Sequence, residues 1–296
     1  MKNLAILIDS TGDLDTELRK KYSIGYCVMG ISFKGKEIPA SLDWDQGYDP
    51  HALYDVMREG EKIFTSQVTR QEFESKFGAE LEKGNDVLYV ACSSGLSKSV
   101  DMARTVAESL KEKYPERTIA VVDSLITGYA QGDMAIRARE MSDAGKSLEE
   151  IVAWLEENKL RFNQWAATET LTYLKRAGRV KASAAFFGNL FGVKPILISD
   201  AKGNNFAIKK VKGRKQSLVA IVEDIIASTD DIENQTIYIA HSDDLEGAKF
   251  CKEELLKRAK PKAIHIGILG PIIGGSVGPA TIAMYTFGKK VTVVGE

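Results

Sequence analysis

Val87-Leu88-Tyr89-Val90-Ala91-Cys92, followed at once by Ser93-Ser94-Gly95-Leu96-Ser97, decides the fold. Six apolar residues without alternation read as a strand buried on both faces, which is the signature of a parallel sheet covered by helices. The hydroxyl-rich turn then opens a helix with Leu96, Val100, Ala103, Ala107 and Leu110 on one side. The same grammar recurs upstream and downstream. A buried strand over 4–8 ends in Asp9-Ser10-Thr11-Gly12-Asp13, a turn cluster placed to cap a helix running to about Tyr22. A third strand over 119–122 ends in Asp123-Ser124 and leads into a helix reaching about Ser142. Strand–helix alternation of this kind specifies a doubly wound α/β sheet.

Between these units, Lys34-Gly35 marks a hairpin within a small extended insertion near 28–45. Asp49-Pro50 supplies an N-cap acid and a proline at the first helical position. Thr69 with Glu72 and Ser147 with Glu150 have the spacing of capping boxes. From about Asn163 the texture changes. Strands are expected over 164–168, 194–199, 206–211, 236–240, 263–268 and 291–294, with helices over 217–228 and 245–260. The turn over 200–205 would join two of these strands as a hairpin. The expected organisation is an N-terminal domain over 1–162 with a doubly wound parallel sheet, and a C-terminal mixed-sheet α/β domain over 163–296. The last strand could pack on either domain.

Composition excludes several functions. With 40 Lys and Arg against 41 Asp and Glu, the chain lacks the basic excess that displaces counterions from a phosphate backbone, so nucleic acid is not an expected partner. No apolar run approaches the roughly 20 residues that span a bilayer, and the start lacks the pattern of a signal peptide. Cys27, Cys92 and Cys251 are too widely spaced for a disulfide framework or a CxxC metal motif. His51, His241 and His265 have no zinc-binding spacing. A cytoplasmic protein without a metal is expected.

In open α/β sheets ligands lie beyond the carboxyl ends of the strands. Here those ends carry Ser10-Thr11, Ser93-Ser94 with Ser97, and Ser124 with Thr127; Thr65-Ser66-Gln67 is a further hydroxyl cluster. Hydroxyls and free helix N–H groups together suit a carboxylate or a phosphate. Capping alone would explain Ser10, Thr11 and Ser124. The Ser93–Ser97 segment has more hydroxyls than a cap needs. There is no GxGxxG, no GxxxxGK[ST] and no GxSxG. Asp9, Asp13 and Asp123 could hold magnesium or cap helices. Gly178 has the position of a helix C-cap, with Arg179 just beyond it. Gly270, Gly274, Gly275 and Gly278 form a glycine-rich loop around Ser276 that could let backbone approach a ligand closely.

Taken in order, Asp9 to Leu14, Thr65-Ser66-Gln67, Ser93-Ser94-Gly95-Leu96-Ser97, Asp123-Ser124, Leu171 through Arg179, Lys194-Pro195 and the late Gly-Pro loop resemble the DegV family of bacterial lipid-binding proteins. The resemblance implies a tunnel between two domains that holds a long-chain fatty acid of C14–C18. It implies no catalysis by the chain itself and no cofactor other than the bound lipid. It places the carboxylate on Thr65, Ser66, Ser93 and Ser94, with Ser97, Gly275 and Ser276 nearby and Arg179 as charge partner or ordering group. Some family members present the carboxylate to a separate fatty acid kinase, and lipid exchange implies peripheral membrane contact.

The sequence departs from the family pattern in three places. Lys98-Ser99 follow the serine motif, Ala177 precedes Gly178-Arg179, and the late loop has Ser276 where the family usually has histidine, with Ala280 replacing a glycine. Serine can donate a hydrogen bond but cannot carry charge, so presentation to a kinase is weakened more than lipid binding. The apolar residues among 184–191 could wall the tunnel or pack in the core. The alternative function is an enzyme or binder for a small phosphorylated metabolite, because a related fold occurs in parts of a dihydroxyacetone kinase and in a sugar-phosphotransfer domain.

Overall fold

The computed structural model describes residues 3–183, 186 and 192–295. The first half runs β1 (Leu4–Asp9), α1 (Thr16–Lys21), β2 (Ile24–Cys27), β3 (Gly30–Phe33), β4 (Lys36–Pro39), α2 (Pro50–Arg58), β5 (Phe64–Ser66), α3 (Arg70–Glu82), β6 (Asp86–Ala91), α4 (Ser99–Lys111), β7 (Ile119–Asp123), α5 (Gly128–Asp143) and α6 (Leu148–Asn158). The second half runs β8 (Phe162–Ala167), α7 (Thr172–Ala177), β9 (Val193–Ser199), β10 (Asn205–Lys212), α8 (Arg214–Ser228), β11 (Thr236–His241), α9 (Leu245–Leu256), β12 (Ala263–Ile268), α10 (Pro271–Val277) and β13 (Ile282–Phe287).

The N-terminal domain has the expected parallel sheet, in the order β2-β1-β6-β7. All six residues of β6 are buried: the apolar run from Val87 as its pattern requires, and Asp86 with its carboxylate accepting from the Thr118 N–H at 2.9 Å. A small antiparallel sheet, β4-β3-β5, stands beside it. The C-terminal domain is a mixed sheet in the order β10-β9-β8-β13-β11-β12, antiparallel except for the β11–β12 pair. Helices α3 and α4 cover the outer face of the first sheet, and α8 and α9 cover the outer face of the second. Helix α5 lies between the two sheets and touches β1 and β6 on one side, β8 and β13 on the other. That position explains why ten of its sixteen residues are buried. One apolar cluster fills the space around α5, and two others lie under the outer helices. Among the described residues no helix is long and apolar enough to cross a membrane.

Four local expectations need correction. Residues 291–294 form no strand; the backbone there bonds singly to Leu160 and Ala201 past the end of the sheet. The strand that closes the sheet is β13, which lies inside it with all six residues buried. The N-cap of α1 is Asp15, whose side chain accepts from the Leu18 N–H, and not the 9–13 cluster. Asp13 is released from capping and accepts from the Gly270 N–H at 3.0 Å instead. Thr69 caps α3, but Glu72 does not complete a capping box, because its carboxylate accepts from the Val28 N–H at 2.9 Å. The glycine-rich segment is not an irregular loop: Pro271 at the first position starts α10, and Gly278 ends it.

Candidate functional site

Three strand ends meet at one edge of the parallel sheet, and buried acids hold them there. Asp9 accepts from the N–H of Thr11 at 3.0 Å, the N–H of Cys92 at 2.9 Å and the Tyr89 hydroxyl at 2.6 Å. Asp123 accepts from the N–H groups of Ser94 at 3.0 Å and Leu125 at 3.2 Å. These carboxylates are therefore engaged in tying β1, β6 and β7 together. Among the described residues no group of His, Cys, Asp and Glu is placed to hold a metal ion.

Beyond these strand ends lies a cavity of about 470 Å³, lined from both sheets. Its apolar wall includes Met29, Leu174, Leu269, Ile272, Ile273 and Val277. Its floor is the face of the C-terminal sheet that bears Ala166, Leu197 and Ala283. Helix α10, from the second half of the chain, packs against α7 and against α2 and β5 of the first half, so the cavity is closed by segments far apart in sequence. The close packing at its end depends on Gly278, at φ +82°, where a Cβ would enter the Tyr173 ring.

Six of the expected contact residues line this cavity: Thr65, Ser66, Ser94, Ser97, Arg179 and Ser276. Ser93 does not. It is fully buried, donates to the Gly203 carbonyl at 2.7 Å and accepts from the Gly95 N–H at 3.1 Å, locking the serine turn onto the β9–β10 hairpin. Gly275 also lies outside the lining and faces Ile63, whose methyl stands 2.8 Å from where its Cβ would be. Of the segment 184–191, only Phe186 is among the described residues; it packs against the central core with Lys210 over its ring.

The lining hydroxyls differ in how free they are. Ser97 pairs with Ser99 at 3.0 Å, Ser66 donates to Glu37 at 3.2 Å, and Ser276 donates to the Ile272 carbonyl at 2.8 Å within its own helix. Ser94 and Thr65 make no side-chain hydrogen bond to a described residue. Arg179 leaves the αL cap at Gly178 and donates to the carbonyls of Leu96 at 3.2 Å and Ala177 at 2.5 Å, with no acid partner among the described residues. The rim thus presents neutral donors and a guanidinium to an apolar cavity, a combination that orients a carboxylate. Lys98, also in the lining, lies 3.6 Å from Asp101.

None of the three histidines lines the cavity: His265 meets Asp15 at 2.8 Å and His51 meets Asp243 at 2.5 Å. The Cys92 thiol does line it, but burial raises its pKa well above the usual thiol range and keeps it protonated. Thr127, one of the strand-end hydroxyls read from the sequence, lines the cavity; Gln164, Asn205 and Tyr285 also line it and belong to no sequence motif. Polar residues at alternate positions on strands otherwise rich in Ala and Leu were the available signal.

A family model described as an uncharacterised protein, DegV family, matches residues 3–289. A DegV domain-containing protein of Clostridium perfringens is 34% identical over 288 residues, covering 97% of this chain and 98% of its own. A DegV family protein from Thermus thermophilus, whose structure is described in terms of fatty acid binding, superposes with a TM-score of 0.87 at 27% identity, covering 98% of this chain and 100% of its own. DegV from Bacillus subtilis, described as a fatty acid binding protein, gives 0.81 at 26% identity over the same shares. The family match and the fold extend over nearly the whole length, through both sheets and the cavity between them, and the chain belongs to the DegV family.

Proposed function

We propose that this protein binds a long-chain fatty acid in the cavity between its sheets, with the carboxylate at the Ser94–Thr65–Arg179 rim and the acyl chain over the Ala166–Leu197–Ala283 floor. The observation that carries this reading is the pairing of an apolar cavity with a rim of unpaired neutral donors and one guanidinium. Each buried methylene contributes about 0.8 kcal/mol, so a long chain supplies roughly 10 kcal/mol of apolar driving force before the costs of association. The rim then needs only to orient the carboxylate. Fatty acid binding by the Thermus and Bacillus relatives supports the same reading.

The protein acts as a carrier, not a catalyst, and works in the cytoplasm, where unpaired thiols such as the buried Cys27, Cys92 and Cys251 stay reduced. Its chain divides into domains over 1–162 and 163–296; support comes from β8, which begins at Phe162 and is the first strand of the second sheet. A separate acyl kinase and a membrane surface for lipid exchange are its proposed partners. Mass spectrometry of the purified protein, native and then after solvent extraction, tests the central claim. A stoichiometric C14–C18 fatty acid is expected. An empty protein that also refuses added fatty acid would remove the reading.

A further inference from the structure

The cavity floor is not uniformly apolar. In the register of the C-terminal sheet Tyr285 pairs with Gln164 and Ala283 with Ala166, while Ala166 pairs with Leu197 and Ser199 with Asn205. Two adjacent rows therefore cross the floor side by side. One is small and apolar: Ala283, Ala166, Leu197. The other is polar: Tyr285, Gln164, Ser199, Asn205. Tyr285, Gln164 and Asn205 line the cavity; Ser199 donates to the Leu125 carbonyl at 3.0 Å.

Within the polar row, hydrogen-bonding capacity is left over at one end. Asn205 donates to the Arg179 carbonyl at 3.0 Å and accepts from the Gln164 amide at 3.3 Å. The Gln164 carbonyl oxygen and the Tyr285 hydroxyl bond to no described residue. Neither does the hydroxyl of Thr127, which lines the cavity and does not cap α5. Room for the phenol is made by Gly128, at φ +64°, because a Cβ there would collide with the Tyr285 hydroxyl. Tyr285 is 1% exposed to solvent, so its hydroxyl depends on what enters the cavity.

The two ends of the row differ. The Asn205 end adjoins Arg179 and the serine turn, which bears on Gly203 through Ser93. Tyr285 is three strands away, about 14 Å at the usual interstrand spacing. A carboxylate held at the rim therefore leaves Tyr285 beside the middle of an extended C18 chain.

We infer that Tyr285, Gln164 and Thr127 form a second polar subsite that selects fatty acids carrying a hydroxyl or keto oxygen in mid-chain. The inference rests on the fatty acid reading above and adds a substrate class to it. The phenol donates to the ligand oxygen, and the Gln164 carbonyl accepts from a ligand hydroxyl. An unsubstituted chain leaves these groups without partners, which is how a polar site discriminates against an analogue lacking the matching group.

The test is a displacement titration on delipidated protein with stearic, 3-hydroxystearic and 12-hydroxystearic acids, repeated with Tyr285→Phe and Gln164→Leu. The expected result is about tenfold tighter binding of the 12-hydroxy acid than of stearic acid, no such gain for the 3-hydroxy acid, and loss of the gain in both variants. Two variants are used so that a folding defect in one does not decide the matter; melting curves identify it. Weaker binding of the 12-hydroxy acid than of stearic acid would overturn the inference. So would an equal loss of affinity for all three acids in Tyr285→Phe, which would mean that the row holds the carboxylate itself. Failure of every acid to bind would instead remove the fatty acid reading.

Discussion

Ser93 and Ser94 are adjacent in sequence and should fail in opposite ways when replaced by alanine. Ser93 is fully buried, and its hydroxyl both donates to Gly203 and accepts from Gly95. Ser93→Ala leaves a buried carbonyl without its donor and a partly buried N–H without its acceptor. Each unsatisfied group costs about 1–3 kcal/mol, and the Gly95 N–H keeps some access to water, so the expected loss is about 2 kcal/mol. In a chain of this size that lowers the melting temperature by about 3 °C. Ser94 lines the cavity with a hydroxyl that supports nothing else among the described residues. Ser94→Ala should leave the melting curve unchanged and weaken fatty acid binding by about 1.5 kcal/mol, the low end for a hydrogen bond to a charged group, or about tenfold in Kd. The assays are circular dichroism melts of delipidated protein and displacement of a fluorescent fatty acid. If Ser93→Ala lost affinity at an unchanged melting temperature, or Ser94→Ala left affinity intact, the assignment of the two roles would be refuted.

Other expectations follow from the same geometry. Ala283→Leu adds bulk to the apolar floor and should shift preference from C18 towards C14, with each displaced methylene costing about 0.8 kcal/mol; an unchanged order of chain lengths in competition binding would refute this placement of the chain. Ser276→Ala should leave affinity within twofold, because that hydroxyl already donates to Ile272 inside α10, and a large loss would show that it turns to the ligand. Burial raises the Asp13 pKa well above the usual carboxylate range, against the opposing hydrogen bond from Gly270. A group raised on folding contributes its full stability below the unfolded value of about 4 and loses it as the pH rises through the folded value. Urea midpoints should therefore show Asp13→Asn gaining on the unmodified protein between pH 4 and pH 8, and a parallel pair of curves would contradict the raised pKa.

Much of the fold was readable because burial on both faces leaves a plain mark. The runs in β1 and β6 contain little but apolar residues and end in turn chemistry, so their place in a parallel sheet follows from side-chain period alone. β13 is less legible: Ile282–Phe287 begins only four residues after the glycine that closes α10, so its apolar run reads on from the glycine-rich segment. Val291 to Val294 has the composition of a strand, but its backbone makes only single hydrogen bonds to Leu160 and Ala201 and pairs with neither edge strand, β10 or β12. At the site, the hydroxyl clusters were visible as residues in excess of capping needs. Which of Ser93 and Ser94 faces the cavity was not, because it is set by Gly203, 110 residues downstream. The polar row across the floor is a matter of register between strands, which no single stretch of sequence records.

The interior position of β13 also sets an order of events during synthesis. β8, β9 and β10 can pair with one another as the chain emerges, and so can β11 and β12, but the two groups share no hydrogen bond except through β13. Until residues 282–287 are made, β8 and β11 remain unpaired edges of two half-sheets, each able to template association with another nascent chain. Synthesis proceeds at about 5–20 residues per second, so the interval from β8 to β13 lasts on the order of ten seconds, in which the growing protein depends on chaperones or on the solubility of its helices. A stop codon placed just before Ile282 would remove little of the chain's length yet leave that interval without an end.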